Sequence, residues 1–94
     1  MDKITLKDIV EKRFNMTAET MSPDDLICEA YYKMHDAIAT KSDYTDAYIM
    51  ALVAIEANKR CDVHVPTLER AAEDLLRKSG MTEQDIVEDY LKHE

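Results

Sequence analysis

Ninety-four residues with a formal net charge of −8, one Gly, two Pro and no Trp make one domain with a modest core and few turn signals, which argues against a sandwich or barrel. Residues 1–47 and residues 48–94 each carry ten acids and six bases, so there is no basic half to lie on nucleic acid. The longest apolar run, Ala47 to Ile55, falls short of the roughly 20 residues that a membrane-spanning helix needs.

Taken in order, Thr5 is placed to cap a first helix, with Asp8 at the reciprocal position three residues on. Leu6, Ile9, Val10 and Phe14 then repeat at helical spacing. Asn15 is suited to the left-handed stop of a helix, with Met16 folding back on the last turn and Thr17 capping a short turn through Met21. Ser22-Pro23-Asp24-Asp25 is the clearest start signal in the chain. It combines a Ser cap, Pro at the first helical position and two acids at the positive helix end.

The helix so opened runs to about Thr40, with Leu26, Ile27, Ala30, Tyr31, Met34, Ala37 and Ile38 in one arc. Cys28 and His35 border that arc, and Tyr32 falls outside it among charged residues. Lys41-Ser42-Asp43 breaks the pattern, with Ser42 or Asp43 capping the next helix.

That next helix, Tyr44 to Asn58, is the most apolar stretch and is expected at the centre of the fold. Tyr44, Tyr48, Leu52 and Ile55 make a bulky ridge, while Ala47, Ala51, Ala54 and Ala57 make a small-residue face. Ile49 and Val53 share the narrow polar sector with Thr45, Asp46, Glu56 and Arg60, which predicts an apolar edge open to a partner. Cys61 to Val65 forms an irregular link, and Pro66 or Thr67 opens a fourth helix with Leu68, Ala71, Ala72, Leu75 and Leu76 inward. Gly80 ends it in the left-handed conformation. Thr82 with Asp85 starts the last helix, whose apolar stripe is Ile86, Val87, Tyr90 and Leu91. The fold predicted is all-α, a compact single-domain bundle (residues 1–94) of about five helices around residues 44–58, the shortest of them at one end of the chain.

Chemistry is sparse by comparison. Cys61-x-x-His64 has the spacing of half a zinc site, but Cys28 and His35, the remaining candidates, are nearly two turns apart on another helix. Neither Cys has a nucleophile motif around it, and cysteine is among the most frequently buried side chains. Asp24-Asp25, Glu73-Asp74 and Glu88-Asp89 are adjacent pairs, which point about 100° apart on a helix and do not face each other. No catalytic, metal or cofactor assignment follows. The two cysteines, with no signal-peptide pattern in MDKITLKDIVEK, are read as reduced thiols of a cytoplasmic protein.

Ile4 to Met21, ITLKDIVEKRFNMTAETM, resembles the opening of a helix-turn-helix DNA-binding unit of the kind that begins lac-type repressors. Thr5, Leu6, Asp8 and Ile9 match the first helix and Asn15-Met16-Thr17 the turn, which implies a DNA-binding regulator using residues 5–21. Where such a unit contacts DNA, Ala18-Glu19-Thr20-Met21 carries no basic side chain. The leading expectation is therefore a small, acidic, non-enzymatic protein-interaction domain, an adaptor or inhibitor of the compact kind found in bacteria and phage. It would bind another protein or itself as a homo-oligomer, with Tyr32, Ile49 and Val53 as contact residues and neither nucleic acid nor membrane as partner.

Overall fold

The computed structural model describes residues 3–93. It contains α1 (Leu6–Thr17), α2 (Pro23–Thr40), α3 (Tyr44–Arg60), α4 (Pro66–Ser79) and α5 (Glu83–Lys92), and no strand occurs among the described residues. Three of the five helices begin with reciprocal side-chain caps: Thr5 with Asp8, Ser22 with Asp25, and Thr82 with Asp85. In each pair the hydroxyl accepts the third helical N–H, and the carboxylate accepts the cap's own N–H. Three orphan helix starts are thus satisfied by residues four positions apart or fewer, which is why they were legible locally. No helix among the described residues is long and apolar enough to cross a membrane.

α3 is the organising element, packing against α1, α2, α4 and α5. α2 also meets α4, and α1 also meets α5, so the two pairs flank α3. The radius of gyration is 12.6 Å, against about 12.4 Å expected for a compact chain of this length, so no helix stands away from the bundle.

The burial of α3 corrects the sequence reading. Ile49 and Val53, expected at an open edge, are each 0 % exposed. Ala47, Tyr48, Met50, Ala51, Ala54 and Ala57 are buried as well, whereas Leu52 and Ile55 are only partly so. A helix with neighbours on nearly every side is apolar nearly all round, and a wheel cannot then tell core from edge. The bundle covers Ile49 and Val53 without a partner, so neither is a contact residue.

Three polar ties lock α3 in place. Asn58, 2 % exposed, donates to the carbonyls of Ala54 (2.8 Å) and Pro23 (3.2 Å), pinning the end of α3 to the start of α2. Tyr48 donates its hydroxyl to Glu83 at 3.1 Å, joining α3 to α5. Burial, then the Glu83 carboxylate, pushes the Tyr48 phenol up to about 12. Asp46 lies between Lys33 of α2 at 2.8 Å and Arg13 of α1 at 3.2 Å. Among the described residues, no buried side-chain nitrogen or oxygen lacks a hydrogen bond.

Two connections also differ from expectation. Asn15 and Met16 lie inside α1, which runs to Thr17 and ends on Ala18 in a right-handed conformation. The Thr17 hydroxyl donates to the carbonyls of Arg13 and Phe14, so it closes the last turn of α1 and caps no new one. Asp43 stands at the start of α3 at φ 57° without a side-chain cap, and the Ser42 hydroxyl pairs with Thr40 at 2.8 Å. Gly80, by contrast, is left-handed as expected, at φ 72°.

Candidate functional site

The outer face of α2 differs from every other exposed helix face. Leu26, Ala30, Met34 and Ala37 are its buried residues, a strip about 80° wide at 100° per residue. This strip is narrower than the arc drawn from the sequence, and its cost falls on the edge: Tyr31 and Ile38 are each 38 % exposed. Opposite the strip, Cys28, Tyr32, His35 and Ala39 recur at helical spacing, all exposed. Tyr32, at 72 % exposed, is the most open large hydrophobic residue on the molecule's described surface, as its position off the stripe predicted. The result is about three helical turns of surface with no charge along the middle.

One flank of this face is acidic. Glu29 and Asp36 border it on the side toward α3. There a notch of about 390 Å³ between α2 and α3 is lined by Glu29, Tyr32, Lys33, Asp36, Asp43 and Asp46. The only ammonium in that set, Lys33, is already held by Asp46. Partial burial pushes the Asp46 carboxyl upward, but the Lys33 hydrogen bond and charge, followed by Arg13, outweigh it and leave the group below its ordinary value. Carboxylate charge is therefore in excess beside Tyr32. The opposite flank, Tyr31 and Ile38, carries none.

A larger cleft, about 990 Å³, opens where α1, α3 and α5 converge. Met16, Tyr44 and Met81 contribute apolar surface, while Lys12, Arg13 and Asp89 are among its polar lining. Arg13 is held by Asp46, and the His93 imidazole lies 2.9 Å from the Asp89 carbonyl. The cleft has no signature in the sequence, because its lining comes from three helices far apart in the chain.

Cys28 and Cys61 are free and exposed. His64 pairs with Glu69 at 3.1 Å, its side chain 76 % exposed. Among the described residues no group of three or more His, Cys, Asp or Glu is arranged to hold a metal ion. The turn expected of a helix-turn-helix unit at residues 15–17 is helix instead, so residues 5–21 do not form the corner that the resemblance implied. A regular helix there carries Lys7 and Lys12 on an exposed surface shared with Asp8 and Glu11, a mixed rather than a basic face.

No family model matches the chain, and no curated protein or solved structure matches it either.

Proposed function

We propose that this chain is a non-enzymatic protein-interaction domain whose contact surface is the outer face of α2, centred on Tyr32. One observation supports the reading: the contrast between that face and the rest of the surface. Charged residues make up 34 % of the chain, and the exposed positions of the other long helix faces are dominated by them. Lys7, Asp8, Glu11 and Lys12 are exposed on α1, and Arg70, Glu73, Arg77 and Lys78 on α4. On α2, Asp24, Asp25 and Asp36 are exposed too, but between Cys28 and Ala39 the exposed positions are mostly Cys28, Tyr31, Tyr32, His35, Ile38 and Ala39. Two tyrosines beside a branched aliphatic residue are the side chains that serve as anchors when a partner removes them from water. Scattered single hydrophobics need no explanation, whereas a continuous stripe of them does.

The test places a benzophenone amino acid at position 32 in the native host, and for comparison at positions 11 and 77. Irradiation is expected to give one adduct of discrete mass from position 32 only, lost when Tyr31→Asp and Ile38→Asp are added. Equal labelling from all three positions, or none from position 32, overturns the reading.

A further inference from the structure

The α2 face has a chemical polarity that narrows what can cover it. Its middle is uncharged from Cys28 to Ala39, about 16 Å of helix at 1.5 Å per residue. A partner helix of three turns with its own apolar stripe matches that length. Toward α3 the face is bounded by Glu29 and Asp36, next to a notch in which Lys33 is neutralised by Asp46. Asp24 and Asp25 lie at its N-terminal end. An occupant with cations along this flank is complementary to these carboxylates.

A second copy of this chain does not do so. In a two-fold antiparallel pairing of α2 with itself, each flank meets the same flank of the other copy. Glu29 of one protomer would then lie near Asp36 of the other, on a chain already at −8. Such apposition of like charges opposes association. Parallel two-fold pairing sets each acidic flank against the uncharged Tyr31/Ile38 flank of the other copy, which brings it no cation. The apolar stripe invites a partner, and neither symmetric self-pairing supplies the acidic flank with a cation.

Resting on the interaction reading above, we propose that the α2 face docks an amphipathic helix of another protein that carries Lys or Arg along one edge of its apolar stripe. The stripe covers Tyr31, Tyr32 and Ile38, and the basic edge lies over Glu29 and Asp36. This is helix-to-helix docking in which the apolar contact supplies affinity and the charged edge fixes orientation and excludes wrong partners.

The probe is a synthetic Leu/Lys amphipathic helix of about fourteen residues, set against a sibling with Glu at every Lys position. Binding is followed by fluorescence anisotropy and mapped by backbone amide shifts. The basic helix is expected to bind with shifts concentrated on residues 28–39, and its acidic sibling is not. Tyr32→Ala, and separately Glu29→Gln with Asp36→Asn, should each weaken binding by about tenfold or more. Glu11→Gln with Glu88→Gln removes the same charge from α1 and α5 and should change affinity by less than about threefold. Equal loss from the two charge-neutralising pairs, or shifts spread away from α2, overturns the proposal by showing general attraction to an acidic protein. A dimer of the free chain that Tyr32→Ala dissolves also overturns it, by placing a second copy on the face. If position 32 crosslinks to a host protein while the basic helix fails to bind, the partner's basic chemistry is wrong and the interaction reading stands. Absence of any crosslink from position 32 removes both.

Discussion

Replacing Ile49 with Ala tests directly which part of α3 is core. Ile49 is 0 % exposed, and the change removes three buried carbons, worth about 2.4 kcal/mol at roughly 0.8 kcal/mol each. The void left behind adds to this, but Ile49 also lines the cleft between α1, α3 and α5, so solvent can enter part of the space and reduce the cavity contribution. The expected loss is about 3 kcal/mol, toward the lower half of the usual range for such truncations. Against a total stability of about 5–14 kcal/mol for a chain of this size, that is a large fraction. Tm should fall by about 12–24 °C. Urea unfolding followed by far-UV circular dichroism gives the free-energy difference, provided that m is unchanged. Tyr32→Ala run alongside should stay within about 0.5 kcal/mol of the parent, as an exposed site does. A loss below about 1 kcal/mol for Ile49→Ala at unchanged m would refute the reasoning and return Ile49 to the surface. Val53→Ala, also at 0 % exposed but with two carbons removed, should cost about 2 kcal/mol.

Three other perturbations address the ties between helices. Asp46 is held below the ordinary carboxylate range, so its contribution exists above that range and is lost as pH falls through the lowered value. Asp46→Asn should therefore cost about 1 kcal/mol at neutral pH, the scale of partly exposed ion pairs. The gap from the parent should close as pH drops below 3.8, and a gap that is constant in acid would contradict the assignment. Asn58→Ala removes both hydrogen bonds of a buried amide and should cost about 1–3 kcal/mol in thermal or urea unfolding; an unchanged midpoint would show the amide to be dispensable. Gly80→Ala should cost about 1 kcal/mol from the left-handed backbone alone, because a Cβ there meets nothing within 4 Å. Gly80→Asn should recover most of that loss, since Asn tolerates the conformation, and equal destabilisation by the two would point to a steric cause instead.

The two chain corners that look alike in sequence show how far local patterns reach. Asn15-Met16-Thr17 and Gly80-Met81-Thr82 share a stop, an apolar residue and a cap, yet only the second is a corner. Gly lacks a Cβ and takes positive φ without strain, so it dictates a stop, whereas Asn merely permits one. Thr17 has a competing option inside the helix, donating back to Arg13 and Phe14, and the helix takes it. The contact site was similarly half legible. Tyr32 could be placed outside from its position off the stripe, but Tyr31 and Ile38 lay inside the predicted arc and emerged at the edge of a narrower buried strip.

By itself, the sequence determined the five helices, two of the three reciprocal caps, the left-handed stop at Gly80 and the central place of residues 44–58. Each of these rests on residues within a turn or two of one another, or on a composition too apolar for a surface. Only the tertiary structure decided which sides of α3 are closed, how wide a strip of α2 is buried, and that three distant helix segments leave a cleft between them. Helical periodicity states which residues share a face, but the number and angle of the neighbours decide how much of that face is covered. That is why Ile49 and Val53 belong to the core, and why the uncharged outer face of α2 is what the bundle leaves open.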